Sequence, residues 1–168
     1  MKAFFSKSLL IITLIIIFET STALSQIRIA VLPFQNKDGK LSLNVLSYKL
    51  GDSLTTAFKI EDAAEKYFRI VPMDSIEAVL AQMNLDPTNP QYQSDVWKAI
   101  VQLNIKYVIL GNFNIEADKF LINAYIYDAK TKLAVPEFQA RDIFLKEESI
   151  MECIPEIINN TLPFFIKK

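Results

Sequence analysis

The stretch FLINAYIYDAKT, residues 120–131, decides the fold of this chain. Its apolar and polar residues alternate with a period of two, which predicts a β-strand with side chains on opposite faces of a sheet. One face would carry Phe120, Ile122, Ala124 and Ile126, and the other Leu121, Asn123, Tyr125 and Tyr127. The segment from Asp128 to Thr131 predicts a hairpin turn. This part of the chain is therefore expected to form antiparallel sheet.

Four further segments have the composition of strands. Three of them are residues 27–34, 67–71 and 106–110. The first is β-branched and is expected to end at Pro33. Residues 133–142 would form the strand that returns from the hairpin. Pro136 within that strand requires a bulge or a sheet edge, because proline cannot donate a hydrogen bond to a neighbouring strand.

Apolar residues at steps of three and four predict helices between these strands. The clearest helix follows Ser42, the expected N-cap. Its buried face would carry Leu43, Leu46, Leu50, Leu54, Ala57 and Phe58. Asp74 and Glu77 predict a capping box for a second helix, and Ser94 is the expected cap of a third. A last helix is predicted over residues 147–164, with a kink at Pro155.

The resulting order of elements is βαβααβββα, in one domain over residues 26–168. Strands joined by helical crossovers run parallel, whereas strands joined by short turns run antiparallel. We therefore expect an α/β (α+β) fold with a single mixed β-sheet of about five strands packed by helices.

Residues 1–25 have the three-part layout of a secretory signal. Lys2 and Lys7 precede an apolar core over residues 9–18, and a stretch of small and polar residues follows. A helix needs roughly 20 apolar residues to span a bilayer, so this shorter core favours cleavage over a retained anchor. Small residues predict cleavage after Ser25 or after Ala23. The mature chain is expected to be periplasmic or secreted, without stable membrane insertion.

The composition excludes several classes of function. The 168 residues include no histidine and three glycines, with 18 basic and 19 acidic side chains and a net charge of −1. Without histidine, the Ser-His-Asp and Cys-His catalytic arrangements are absent. The glycines are too far apart for a nucleotide-binding loop, and the near-neutral charge argues against nucleic acid or anionic lipid as a partner, since both need clustered lysine and arginine. We therefore expect a non-enzyme with no cofactor and no catalytic, cofactor-binding or metal-ligating residues.

Several motifs resemble functional sites but have simpler interpretations. Residues 51–54 spell the GDSL signature of a lipase and esterase family, yet that chemistry needs a histidine base and Ser53 falls inside a predicted helix. Residues 84–89 lack the glycine and glutamate of a calcium loop and are expected to form a turn. Cys153, the sole cysteine, lies among isoleucines and is expected to be a buried thiol.

Two surface features stay open to two interpretations. Glu148, Glu152 and Glu156 recur every four residues, which is typical of a solvated helix face but could also hold a cation or a basic partner. Tyr125 and Tyr127 would point away from the packed face of the sheet, with Phe138 close by. Such tyrosines are either covered by a helix or exposed as a partner surface, and cover by a helix is the favoured interpretation.

The order and spacing of these segments resemble the N-terminal domain of TolB and the related periplasmic αβ domain of the CsgG and FlgO type. The matching stretches are residues 29–34, 50–55, 68–71, 76–85, 103–111 and 122–131. The resemblance implies a non-enzymatic cell-envelope module for protein interaction or assembly, with another envelope protein or itself as partner. The propeller of TolB and the membrane hairpins of CsgG are not expected here. The alternative is a small-ligand carrier that uses the cleft between sheet and helices.

Overall fold

The structure is a computed structural model that describes residues 26–83 and 92–167. The expected signal over residues 1–25 and the expected turn over residues 84–89 lie outside the described residues. Within the described parts, the chain forms a mixed sheet with helices packed on it, so the predicted fold class is confirmed.

Six strands form the sheet. They are β1 (Ile27–Val31), β2 (Gln35–Asn36), β3 (Phe68–Ile70), β4 (Tyr107–Glu116), β5 (Lys119–Asp128) and β6 (Ala134–Leu145). Their order is β3-β1-β4-β5-β6, and β2 pairs with β4. β1 runs parallel to β3 and β4, whereas β4, β5 and β6 are antiparallel neighbours. The predicted division into a parallel and an antiparallel part is confirmed.

The sheet has one strand more than expected because the chain pairs again after Pro33. β1 pairs with β4 as far as Val31, and β2 then pairs with the part of β4 that lies beyond Gly111. The strand predicted over residues 106–110 therefore continues to Glu116. Pro136 is exposed on the edge strand β6, next to an irregularity in the pairing of β5 with β6, as its lack of an N–H requires.

Helices cover both faces of the sheet. They are α1 (Asn44–Glu61), α2 (Met73–Gln82), α3 (Tyr92–Gln102), α4 (Cys153–Thr161) and α5 (Pro163–Ile166), with 3₁₀ turns at Leu41–Leu43 and Glu147–Glu152. One face packs against α1, α4 and α5, and the other packs against α2 and α3. The described chain thus has three layers, with the sheet in the middle.

The larger core contains five fully buried phenylalanines. They are Phe34, Phe58, Phe68, Phe113 and Phe165. The rings of Phe58, Phe68 and Phe165 lie 5.5–5.9 Å apart in edge-on or tilted arrangements, which favour aromatic attraction. The predicted face of β5, from Phe120 to Ile126 in steps of two, is buried in this core. The smaller core packs α2 and α3 against the opposite side of β1 and β4.

All three predicted helix caps are wrong. Ser42 lies in the 3₁₀ turn that precedes α1, and Leu43 occupies the N-cap without a side-chain bond. α2 begins at Met73 after Pro72, so Asp74 lies in its first turn and caps nothing. Ser94 lies inside α3. Residues that favour an N-cap are also tolerated in the first turn, so the starting residue depends on tertiary packing.

The predicted last helix is divided into three parts. Its first turns are the 3₁₀ segment Glu147–Glu152, and a second break separates α4 from α5 at Leu162. The predicted kink at Pro155 is wrong. Pro155 lies in the first turn of α4, where a missing N–H costs no helical hydrogen bond. Pro163 instead begins α5, a favoured position for proline.

Candidate partner-binding surface

The helices leave part of the sheet uncovered. On the face that α2 and α3 occupy, the smaller core reaches only as far as Tyr127 of β5. The remaining side chains on this face of β4, β5 and β6 are half-buried or exposed and belong to neither core. We define the open sheet face by these residues, Asn112, Asn114, Leu121, Asn123, Tyr125, Gln139 and Phe144, which the strand register places on one side.

A row of amide side chains crosses this face. Gln35 is paired with Asn112, and Asn112 with Asn123, across β2, β4 and β5. Asn123 Nδ2 donates to Asn112 Oδ1 at 3.3 Å, and the Asp142 N–H donates to Asn123 Oδ1 at 2.9 Å. These bonds restrict the rotamers of the amides. The face is therefore polar, uncharged along this row and partly fixed before any partner arrives.

The two tyrosines of β5 have different environments. Tyr127 packs against Trp97 of α3 with ring centroids 6.2 Å apart, so cover by a helix is confirmed for this residue. Burial, together with the nearby Tyr125, raises the pKa of Tyr127. Tyr125 lies 6.3 Å from Tyr127 and remains on the open sheet face. The expectation that Phe138 lies near them is wrong, because Phe138 packs against Phe164 in the opposite core.

An apolar cleft lies beside this face, where β1 ends. Its volume is about 210 Å³, and its walls come from α1, α2, α3 and the sheet. The lining residues are Leu32, Pro33, Gln35, Tyr48, Met73, Val96, Trp97 and Leu110. Trp97 is only half-buried because one side of the indole borders this cleft.

An exposed apolar ridge borders the cleft. We define the ridge as Leu41, Val45 and Tyr48, whose exposed fractions are 82%, 76% and 55%. Their spacing of four and three residues places Val45 and Tyr48 on one side of α1, with Leu41 in the turn before it. Helical spacing predicted the buried side of this helix. The same spacing rule applied to its other side would have revealed the ridge.

The loop below the ridge is held by side-chain hydrogen bonds. Asn36 Nδ2 donates to the Lys40 carbonyl at 2.8 Å and to Asn44 Oδ1 at 3.0 Å. Asp38 Oδ2 accepts from the Ile115 N–H of β4 at 2.8 Å. The loop therefore connects the start of α1 to the sheet. The ridge has a defined position relative to the cleft and the open sheet face.

The GDSL sequence has a packing role. Gly51 is buried in α1, and a Cβ atom there would lie 3.2 Å from the Leu32 carbonyl oxygen and the Pro33 Cα. The glycine thus allows α1 to approach the end of β1 closely. Ser53 lies within the same helix, as predicted, and not at a strand-to-helix turn of the kind that presents a nucleophile.

Cys153 is fully buried at the start of α4, as predicted. Burial, and secondarily the charge of Glu156, raises the pKa of the thiol to about 12. The thiolate is the reactive form of cysteine, so the folded protein presents almost no nucleophile at this position.

We expect thiol labelling of the native protein to be negligible at neutral pH. Cys153 should react fully once denaturant unfolds the chain, because unfolding exposes it and restores an ordinary pKa. Absorbance of a released aromatic thiol measures both states. Labelling of the native protein as fast as that of the unfolded chain would show that the thiol is accessible.

The three glutamates of the predicted stripe are exposed but do not continue one helix. Glu148 and Glu152 lie in the 3₁₀ segment and Glu156 lies in α4, so the change of helix type alters their relative directions. Within residues 26–83 and 92–167, no group of three or more aspartate, glutamate or cysteine side chains could hold a metal ion. No helix in these same ranges has the length and apolar character to cross a membrane.

Neither a known protein family nor a curated protein matches this sequence. The structure resembles the LpoB C-terminal domain from Salmonella enterica, with a TM-score of 0.51 and 13% identity over 73% of this chain and 84% of that one. For the LpoB C-terminal domain from Escherichia coli the TM-score is 0.52, with 13% identity over 68% of this chain and 78% of that one. The likeness shows a shared fold.

The expected resemblance to TolB is weaker. TolB from Acinetobacter baumannii has a TM-score of 0.32 and 19% identity, over 80% of this chain and 28% of that one. The LpoB domains superpose better over most of their length. The fold is therefore described better by the LpoB C-terminal domain than by TolB.

Proposed function

We propose that this protein is a non-enzymatic protein-interaction or assembly module of the bacterial cell envelope. Its partner would be another envelope protein, bound across the apolar ridge, the apolar cleft and the neighbouring open sheet face. The observation that carries the proposal is the exposed ridge of Leu41, Val45 and Tyr48 beside the cleft. The leader-like residues 1–25 support export, and the fold shared with LpoB C-terminal domains is compatible with this role.

The ridge and the cleft form one apolar area. Single exposed apolar residues are ordinary on protein surfaces, but a contiguous group marks an interaction site more often. Tyr48 belongs to both parts, since it is 55% exposed on the ridge and also lines the cleft. Aromatic residues of this kind carry much of the binding energy at protein interfaces.

The size of the cleft favours a protein partner over a small molecule. Pockets for small ligands usually enclose about 300–1,000 Å³ and contain converging polar groups. This cleft has about 210 Å³, and among the described residues that line it only Gln35, Tyr48 and Trp97 have side-chain nitrogen or oxygen atoms. An apolar side chain inserted from a partner fits this volume.

Site-specific photo-cross-linking tests the proposal. A photoreactive amino acid replaces Val45 or Tyr48 on the ridge, and in control variants it replaces Ile60 or Leu133, which are similarly exposed. In native envelopes, we expect the ridge variants to form an adduct with one defined protein and the controls to form none. Equal adducts from both sets would contradict the proposal. An adduct of twice the mass of this chain would identify a second copy as the partner instead.

Affinity for the purified partner provides the quantitative test. The double variant Val45→Ser with Tyr48→Ser is expected to weaken binding at least about tenfold, since loss of an interface aromatic typically costs more than 1 kcal/mol. The matched double variant Ile60→Ser with Leu133→Ser removes exposed apolar area elsewhere and should bind normally. All four side chains are exposed, so folding should be preserved in both variants. Normal binding by the ridge variant would overturn the proposed surface.

A further inference from the structure

Basic side chains lie along one edge of the sheet, at the ends of four neighbouring strands. Lys66 precedes β3, Arg28 is the second residue of β1, Lys106 precedes β4, and Lys130 follows β5. Because β5 is antiparallel to the others, its final end lies at the same edge as their starting ends. The strand order β3-β1-β4-β5 therefore arranges the four residues in sequence along this edge. We call them the basic row.

Backbone hydrogen bonds fix the centre of the row. The Lys106 N–H donates to the Arg28 carbonyl at 2.8 Å, and the Ala129 N–H donates to the Lys106 carbonyl at 2.9 Å. Neighbouring strands lie about 4.8 Å apart, so four strands span roughly 14 Å. All four basic residues line one open groove of about 1200 Å³. The row is thus the charged wall of an extended groove on the opposite side of the fold from the end of β1.

In the part of the chain that the structure describes, the positive charges of the row have no ion-pair partners. Within the described residues, no carboxylate lies within 4.0 Å of any of the four cationic groups. Among the described residues that line the groove, Asp128 is the only acidic one. Hydrogen bonds from the Thr131 N–H, the Thr131 hydroxyl and the Lys130 N–H engage Asp128 Oδ1 and, together with the nearby charge of Lys106, hold the pKa of this carboxyl below its ordinary value.

The acidic side chains near Lys66 have further partners, although the charge of Lys66 also contributes to the lowered pKa of Asp62. Asp62 accepts three backbone N–H groups, and Glu65 pairs with Arg69 at 3.7 Å. Positive charge therefore accumulates at this edge of a chain whose net charge is −1. Such a local excess attracts anions even when the whole molecule is nearly neutral.

Arg28 supplies a second, independent observation. Its Nε atom is shielded from solvent and has no hydrogen-bond partner among the described residues. A buried donor without an acceptor is unfavourable, and arginine has no protonation state that removes the donor. An anion with several oxygen atoms would provide both the missing acceptor and the opposite charge.

We infer that the basic row binds a phosphate-bearing ligand, either a free phosphate compound or the headgroup of a phospholipid. Phosphate combines multiple negative charge with strong acceptor oxygens, and lysine and arginine are the residues that bind it. The groove is too open and the row too long for a single small anion. A diphosphate or a phospholipid surface matches several cations in a line. This site is separate from the ridge, since no residue of the row lines the apolar cleft.

The test compares two triple variants with equal changes in charge. The row variant carries Lys66→Gln, Lys106→Gln and Lys130→Gln, and the control carries glutamine at three other exposed lysines, Lys49, Lys119 and Lys146. Calorimetric titration with pyrophosphate measures binding of a free compound. Sedimentation with phosphatidylglycerol vesicles, against phosphatidylcholine vesicles, measures binding of a lipid headgroup. Circular dichroism checks that both variants are folded.

We expect the intact protein to bind pyrophosphate, phosphatidylglycerol vesicles or both, and the row variant to bind at least about tenfold more weakly than the control. Binding of pyrophosphate alone would indicate a free phosphate compound, and binding of vesicles alone would indicate a lipid headgroup. The inference is overturned if neither probe binds, or if both variants lose affinity equally. Citrate binding as tight as that of pyrophosphate would replace phosphate by a carboxylate ligand.

Discussion

Replacement of Gly111 by alanine is expected to destabilise the fold by about 3 kcal/mol, the upper end of the usual cost of overpacking a core. A Cβ atom at this position would lie 2.1 Å from Cε1 and 2.3 Å from Cδ1 of Phe34. Phe34 is 2% exposed and surrounded by the larger core, so its ring cannot move aside without displacing other side chains. Elsewhere in a strand, alanine is usually the more favourable residue.

Chemical denaturation of four proteins checks this prediction. They are the wild type, Gly111→Ala, Phe34→Ala and the double variant. Phe34→Ala alone should cost about 3–5 kcal/mol because it creates a cavity. In the double variant the alanine methyl has room. Its loss of stability should therefore be smaller than the sum of the losses measured for the two single variants. Strict additivity would show that the overlap between residue 111 and the Phe34 ring is not the cause.

Replacement of Asp62 by alanine is expected to lower the free energy of unfolding by about 3 kcal/mol at neutral pH, because it removes a charged acceptor from several backbone donors. Asp62 follows α1 and is 7% exposed. Its carboxylate accepts from the N–H groups of Lys66 at 2.8 Å, Tyr67 at 2.8 Å and Phe68 at 3.0 Å. These bonds close the turn that leads from α1 into β3. Alanine would leave all three donors without this acceptor.

The effect of Asp62 should depend on pH in a defined direction. Burial by itself raises the pKa of its carboxyl, but the N–H donors of Phe68, Tyr67 and Lys66 outweigh it and lower the pKa below 3.8. The unfolded chain thus takes up the proton more readily than the folded one. The stabilisation is fully present above the unfolded pKa and is lost as the pH falls through the folded pKa.

Urea denaturation at several pH values measures this dependence. The difference in unfolding free energy between the wild type and Asp62→Asn should shrink as the pH falls below 3.8. Asp74→Asn is the matched control, because Asp74 is exposed in the first turn of α2 and its carboxylate does not cap the helix. A difference that stays constant from neutral to acidic pH would contradict the role of the ionised carboxylate.

Periodicity predicted the architecture because it records which face of each element is buried. The alternation in β5 correctly placed Phe120 and Ile126 in the core and Tyr125 outside it. The spacing in α1 correctly predicted the burial of Leu50, Leu54 and Phe58. These patterns and the connection lengths together predicted the mixed sheet and its parallel and antiparallel parts.

Features that depend on tertiary contacts could not be predicted in this way. The strand β2 exists because Gln35 and Asn36 meet a part of β4 that is far away in sequence. The hydrogen bonds to the Asp62 carboxylate also depend on tertiary geometry, since the Phe68 N–H reaches this acceptor only when the turn to β3 is closed. Local preferences for caps and kinks are weak beside such packing, which is why Ser42 and Pro155 were assigned incorrectly.

The candidate surfaces follow the same distinction. The ridge could have been predicted from helical spacing, because Val45 and Tyr48 are close in sequence. The basic row was not, since Arg28 and Lys130 are brought to one edge only by the order of the strands. A near-neutral net charge correctly describes the whole chain. It says nothing about how the fold distributes that charge.

The central position of β1 has a consequence for how the chain acquires its structure. β1 is synthesised first among the described strands, yet both of its neighbours come later, and β4 is not complete until residue 116. A chain that emerges from a ribosome or crosses a membrane amino end first thus presents an apolar segment long before its partners exist. Such distant pairing is slow and leaves time for aggregation. We therefore expect folding to finish only after release, with the β4–β5 hairpin forming early and β1 inserting late.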